Sequence, residues 1–219
     1  MTATAILLSW NRLPQLVEIL AHLQRIPIID EVIVWNSNPK VYPFRVDGVT
    51  VVNCTSDLGL WARFAAASLA KNDAILFQDD DLLVDEPTIK HLVAQFEAAN
   101  DGKMQGLFGR TPLTDGTYVG ADSCGQVPIV LTRCVVADRR NCIRAMQYTR
   151  AIDAIGGKPQ GNGEDILLSY VSGGGIAYDM HGGVQELGSG DENSIHRRFD
   201  AHSAHRTKVV QWCLANIKT

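Results

Sequence analysis

Apolar runs alternate with amphipathic stretches along the first hundred residues. Ala3–Trp10, Glu31–Trp35, Val49–Asn53 and Ala74–Phe77 are short and apolar, are bounded by turn-type residues, and read as strands. Pro14–Gln24 and Leu58–Lys71 lie between them with helical spacing, and Pro14 suits a first helical turn. Glu86–Asn100 predicts another helix, with Asn100-Asp101-Gly102 as its stop. Strands separated by helices of this length predict a mostly parallel sheet with right-handed crossovers, and hence a Rossmann-like nucleotide-binding half.

The second half is less regular. Gln105–Arg110 and Gln126–Val136 read as single strands, joined by the turn-rich stretch Thr114–Gly125. Asp138–Ile155 predicts one helix, and Gly156–Gly163 a flexible approach to a short helix opened by Glu164-Asp165. Val171–Gly190 is Gly-rich and predicts an exposed, mobile segment. Asp200–Ile217 predicts a closing amphipathic helix. No repeat or long linker divides the chain, so a single domain over 1–219 is expected, with halves at about 1–103 and 104–219.

Polar clusters follow the predicted strands. Asn11-Arg12 follows the first, Asn36-Ser37-Asn38 the second, Asp57 through Arg63 the third, and Asp79-Asp80-Asp81 the fourth. Parallel strands share one carboxyl edge, so these clusters should meet in one crevice, where open α/β sheets bind ligands. Three adjacent carboxylates repel one another and call for a cation or several donors. A hard divalent ion shared with a diphosphate would serve. A solvated acidic turn, with Asp85 and Glu86 at a helix N-terminus, is the plainer alternative. Arg12 and Arg63 suit diphosphate oxygens because guanidinium is planar, charged and bidentate; pairing with a nearby acid is the competing role. The Asn36 amide can donate to and accept from a base edge.

Near the C-terminus, His196 through Arg206 is a basic island in an acidic chain, and His202 and Arg206 share a helix face that could meet a leaving diphosphate. His202 and His205 as a metal pair lack further ligands at suitable spacing.

The net charge of −4 and pI near 5.8 lack the basic footprint of a general nucleic-acid binder. No stretch reaches 18 apolar residues, so no membrane span is expected, and no charged n-region precedes an apolar core, so no secretory signal is expected. Five scattered cysteines without a Cys-x-x-Cys pair suggest free thiols in a reducing, cytoplasmic setting.

Six segments occur in the order seen in exostosin-like glycosyltransferases, glycosyltransferase family 64: Ser9-Trp10-Asn11-Arg12, Glu31 through Asn36, Ala62-Arg63-Phe64, Asp79-Asp80-Asp81, Gly163-Glu164-Asp165-Ile166 and His202-x-x-x-Arg206. The chain resembles that family from about Ala5 to Val210. The resemblance implies a GT-A fold, a UDP-sugar donor, a carbohydrate acceptor, Mn²⁺ (or Mg²⁺), and transfer with retention of anomeric configuration. It implies that Arg12, Asn36, Arg63, Asp79 and Asp80 contact the nucleotide sugar and that Asp81 holds the metal. Asp165 would sit beside the anomeric carbon, and Arg206, with His202 beside it, at the diphosphate. Animal members commonly carry Cys where this chain has Gly163 and Val209, so the disulfide that such a pair can form is absent here. The residues between Met104 and Gln160 match poorly, which leaves the acceptor unassigned.

Three rival functions draw on similar residues. A non-catalytic nucleotide-sugar or glycan-binding module would use the same scaffold. An inverting transferase would need a base near the acceptor, for which Glu164 is placed. A nucleotidyltransferase would want a basic Gly-rich loop after the first strand, and Ser9–Pro14 has no glycine.

Overall fold

The segments Ala3–Ser9 and Ala74–Gln78 carry few polar side chains because both faces of each are covered, whereas Thr50–Asn53, at the edge of the sheet, is exposed at both ends. In the computed structural model, which describes residues 1–38, 40, 43–156, 160–188 and 201–218, β1 (Ala3–Ser9), β2 (Ile29–Asn36), β3 (Thr50–Asn53) and β4 (Ala74–Gln78) run parallel in the spatial order β3-β2-β1-β4. All five β4 residues are buried, as a central parallel strand with helices on both faces requires. Helix α1 (Leu13–Leu23) has Pro14 in its first turn and buries Leu16, Ile19, Leu20 and Leu23, the i, i+3, i+4, i+7 stripe of a helix lying on a sheet. Helix α2 (Ala62–Leu69) carries Arg63. Helix α3 (Glu86–Ala99) is capped by the Asp85 carboxylate, which accepts from the Thr88 N–H at 2.9 Å, and stops at Asn100 in the left-handed region (φ 46°).

The remaining chain extends the same sheet. Of β6 (Met104–Gly106), β8 (Gly125–Val127), β10 (Cys134–Asp138) and β11 (Gly175–Ala177), strand β10 inserts antiparallel between β4 and β6, giving the order β3-β2-β1-β4-β10-β6-β11-β8. Two small ribbons sit beside it: β7 (Gly109–Arg110) with β9 (Ile129–Val130), and β5 (Leu82–Val84) with β12 (Val184–Glu186). Helices α4 (Arg139–Ala145), α5 (Thr149–Ile155), α6 (Glu164–Val171) and α7 (His202–Asn216) complete the fold.

Four sequence expectations are corrected. Gln105–Arg110 is two strands in different sheets. Gln126–Val136 is three strands, broken at Pro128, which has no N–H for a ladder, and again at Leu131–Arg133. Asp138–Ile155 is two helices separated by a 3₁₀ turn at Met146–Tyr148. The described part of the Gly-rich stretch, to Gly188, is not structureless: it holds β11 and β12, and the Leu187 N–H donates to the Asp81 carbonyl at 2.7 Å. Its last residues, Ser189 and Gly190, and the basic island from His196 to Asp200 lie outside the described residues.

Candidate active site

Register brings the predicted clusters to one edge. Ser9 pairs with Asn36, Asn36 with Asn53, and Leu7 with Gln78, so Asn11-Arg12, Asn36–Asn38 and Asp79–Asp81 all leave the sheet on the same side. Because β10 runs the other way, its amino end comes to that edge too. It brings Thr132 and Arg133, and the Arg133 carbonyl accepts the Asp79 N–H at 2.9 Å.

The acidic triplet is surrounded by arginines. Arg12 Nη1 donates to Asp80 Oδ1 at 2.8 Å and lies 3.1 Å from Asp81 Oδ2. Arg63 Nη2 donates to Asp79 Oδ1, and Arg63 Nε lies 3.4 Å from Glu164 Oε1. Arg133 Nη2 donates to Glu186 at 3.1 Å, its Nε is 3.9 Å from Asp79 Oδ2, and its guanidinium lies 4.6 Å over the Phe108 ring. Burial, together with Asp79 and Asp81, pushes the Asp80 carboxyl up to about 6 despite Arg12. Burial and Asp79 likewise raise Asp81 above the ordinary carboxylate range. Asp81 Oδ1 is buried and receives no hydrogen bond.

Beneath the triplet, α6 presents Glu164 and Asp165 from its first turn, both nearly inaccessible to solvent. Glu164 Oε1 accepts from Thr132 Oγ1 at 2.9 Å. Burial and the adjacent Asp165 push Glu164 up to about 7, against the pull of Arg63 and Arg206. Arg206 of α7 donates from Nη2 to Asp165 Oδ2 at 2.7 Å, and its guanidinium stacks 4.4 Å from the Tyr118 ring. Burial works against the Arg206 charge, but Asp165 outweighs it and the guanidinium stays above its ordinary value. The other Asp165 oxygen accepts the Ile166 N–H at 2.8 Å.

Three sets of ion pairs thus lie side by side at the edge: Arg12 with Asp80 and Asp81, Arg63 with Asp79 and Glu164, and Arg206 with Asp165. They are joined through the chain neighbours Asp79-Asp80 and Glu164-Asp165. Two glycines allow this arrangement. A Cβ on Gly59 would overlap the Gln160 carbonyl oxygen, so the loop before α2 can interlock with the loop before α6, and the Leu60 N–H bonds that carbonyl at 2.9 Å. Gly163, at φ 103°, opens α6 directly against α7, where an added Cβ would lie 3.1 Å from both Val209 methyls.

Asn36 and His202 sit at the two ends of this arrangement. The Asn36 amide bonds inward: Nδ2 donates to Asn53 Oδ1 at 3.0 Å and Oδ1 accepts the Asn38 N–H at 3.3 Å. Asn38 in turn donates to Asn11 Oδ1 at 2.6 Å. His202 Nδ1 accepts from Asn162 Nδ2 at 3.2 Å, while the buried His205 Nε2 donates to the Asn162 carbonyl at 2.7 Å, so both histidines turn to Asn162.

Among the described residues no three His, Cys, Asp or Glu side chains converge to hold a metal by themselves. The donor set still fits a hard divalent ion, since such ions often take one or two carboxylates and complete their shell from substrate phosphates. The undonated Asp81 oxygen is the best placed for it. No helix among the described residues is long and apolar enough to cross a membrane, and all five cysteines are free.

Sequence reasoning missed Arg133, Thr132, Tyr118 and Asn162. For Arg133 and Thr132 a signal existed: they open an apolar run. Only knowledge that this strand runs antiparallel would have put them at the crevice rather than at the far edge.

A mostly parallel central sheet, with one antiparallel strand inserted and another at its edge, matches the α/β fold of GT-A glycosyltransferases. The chain belongs to glycosyltransferase family 64, whose domain model matches residues 3–211. Among solved structures it is similar to the mannosyltransferase PcManGT from Pyrobaculum calidifontis in complex with GDP-Man and Mn²⁺, at 15% identity and a TM-score of 0.60 over 99% of this chain. It is also similar to S. aureus TarS 1-349, at 17% identity and a TM-score of 0.51 over 78% of this chain. The chain spans 64% and 55% of those two structures. No curated protein matches it.

Proposed function

We propose that this domain is an exostosin-like, metal-dependent retaining glycosyltransferase that moves a sugar from a UDP-sugar to a carbohydrate hydroxyl. One observation carries the reading: Arg63 pairs both with Asp79 of the triplet and with Glu164, the chain neighbour of the Asp165 that pairs with Arg206, so the two acidic clusters lie together at the carboxyl edge of the sheet. A non-catalytic module has no evident need for a second buried acid–base pair linked to the first.

In this reading Arg12, Asn36, Arg63, Asp79, Asp80 and His202 line the nucleotide-sugar site. Arg63 and Arg12 hold the carboxylates in place and are the guanidinium groups available to diphosphate oxygens. Asp81 would hold Mn²⁺ or Mg²⁺, which when bound neutralises charge developing on the diphosphate. Asp165, fixed by Arg206 and the Ile166 N–H, keeps a lone pair on each oxygen for the electron-poor anomeric carbon, as carboxylates do in glycoside hydrolysis. Arg206 also neutralises the departing phosphate. Glu164 is a poor base for an inverting reaction, since it is buried between Thr132 and Arg63 rather than open to an acceptor. Free thiols, with Gly163 and Val209 in place of a cysteine pair, suit a cytoplasmic setting.

A GDP-sugar is the second reading for the donor, favoured by the GDP-Man and Mn²⁺ bound to the similar mannosyltransferase. A thermal-shift screen of UDP-, GDP- and dTDP-sugars with and without Mn²⁺ separates the two, since ligands of the folded state raise its stability by mass action. A shift with none of them refutes the proposal. NMR of the first product then reads the anomeric configuration, and an inverted product would refute retention.

A further inference from the structure

Arg12 is placed where a cation would be. One nitrogen, Nη1, lies 2.8 Å from Asp80 Oδ1 and 3.1 Å from Asp81 Oδ2, bridging two consecutive carboxylates, and all three side chains are only about a tenth exposed. The other arginines answer to other acids: Arg63 to Asp79 and Glu164, Arg133 to Glu186 and, more distantly, Asp79. The remaining Asp81 oxygen is buried and undonated, so an ion bound there would sit close to a fixed positive charge. In such surroundings like charges repel far more strongly than in water.

We infer that Arg12 is a built-in counter-cation that keeps free divalent ions off Asp80 and Asp81 until a nucleotide diphosphate arrives. A bare ion must compete with Arg12 for the same carboxylates. An ion that comes with a diphosphate brings phosphate oxygens that Arg12 can pair with instead, so the exchange leaves no charge uncompensated. Metal and nucleotide therefore bind as a unit, and Arg12 acts in metal selectivity as well as in donor contact. The inference rests on the metal–diphosphate reading of the triplet given above.

The test titrates Mn²⁺ into the purified full chain, reading bound ion from loss of the free Mn²⁺ electron paramagnetic resonance signal, with and without saturating UDP or GDP. Wild type should bind bare Mn²⁺ weakly. Arg12→Gln should bind it about tenfold or more tighter, because one full positive charge beside the site is gone. Arg12→Lys, which keeps the charge, should stay near wild type. Bare-ion affinity in Arg12→Gln equal to or weaker than wild type overturns the inference, as does equal tightening in Arg12→Lys. If Arg12→Gln fails to fold, the double variant Arg12→Gln/Asp80→Asn removes one charge of each sign. It should still bind bare Mn²⁺ more tightly than Asp80→Asn alone, and failure to do so overturns the inference. The proposed function fails differently: neither UDP nor GDP would then raise Mn²⁺ affinity in wild type, whatever Arg12 does.

Discussion

Replacing Glu164 by Gln should flatten the pH dependence of stability of the unliganded protein. Glu164 is 3% exposed, accepts from Thr132 Oγ1 at 2.9 Å and sits beside Asp165. Burial and that neighbour hold its carboxyl at about 7, against an ordinary value of 4.5. A carboxyl raised on folding binds an extra proton in the native state between those values. Its stabilising contribution is therefore complete below the unfolded pKa and is lost as pH rises through the folded one. Between pH 5 and pH 8 this residue alone costs wild type about 2–3 kcal/mol, worked from the two pKa values by proton linkage. Glutamine has no proton to lose and keeps an oxygen for Thr132, while Arg63 keeps Asp79. At pH 5 the two proteins should be close in stability; at pH 8 the variant should be the more stable. For a domain of this size the gap corresponds to roughly 4–12 °C in melting temperature. Circular dichroism melts at four pH values from 5 to 8, with urea titrations at the extremes, measure it. Parallel curves for the two proteins would mean that Glu164 is already ionised at pH 5 and that Arg63 outweighs burial, refuting the reasoning.

Asp165→Asn should lower turnover by about 10²–10³ with the fold retained, the usual cost of losing one preorganised electrostatic group; unchanged turnover on the donor found by screening would remove Asp165 from the reaction. Asp165→Ala should in addition lose about 3–5 kcal/mol of stability in urea, because, unlike Asn, it leaves the buried Arg206 charge without any hydrogen-bond acceptor in place of the carboxylate. Asp81→Asn should abolish the gain in UDP affinity on adding Mn²⁺ while leaving affinity in chelator unchanged, as calorimetry would read. Gly163→Ala should lower stability by about 1–3 kcal/mol, since φ 103° strains any side chain and the new methyl meets Val209. Val209→Ala in the same chain should recover the steric part, and no recovery would assign the whole cost to the backbone.

The parallel strands were legible because burial on both faces writes itself as an apolar run: Ala74 through Phe77 is apolar, and β1 nearly so. Their polar exits were legible for the same reason, since the first hydrophilic residue after such a run must be near the sheet edge. Direction was not. Nothing in Cys134–Asp138 says that this strand opposes its neighbours, and so Arg133 went unseen. Nor was pairing: the Asn36 amide looks available for a ligand, yet Asn53 and Asn38, 17 and 2 residues away, already engage it. Helix breaks without glycine or proline were equally silent, as at Met146–Tyr148, where the turn merely tightens.

Gly163 and Val209 meet where α6 packs on α7, two residues before Asp165 on one side and three after Arg206 on the other. With no covalent bond across that seam, the distance from Asp165 to Arg206 is maintained by dispersion forces and by the pair's own attraction. A reductant therefore has nothing there to cut, and thiol chemistry should leave the apposition untouched. Adding bulk at the seam is what would prise it apart, which makes the smallest residue in the protein the spacer for a buried ion pair.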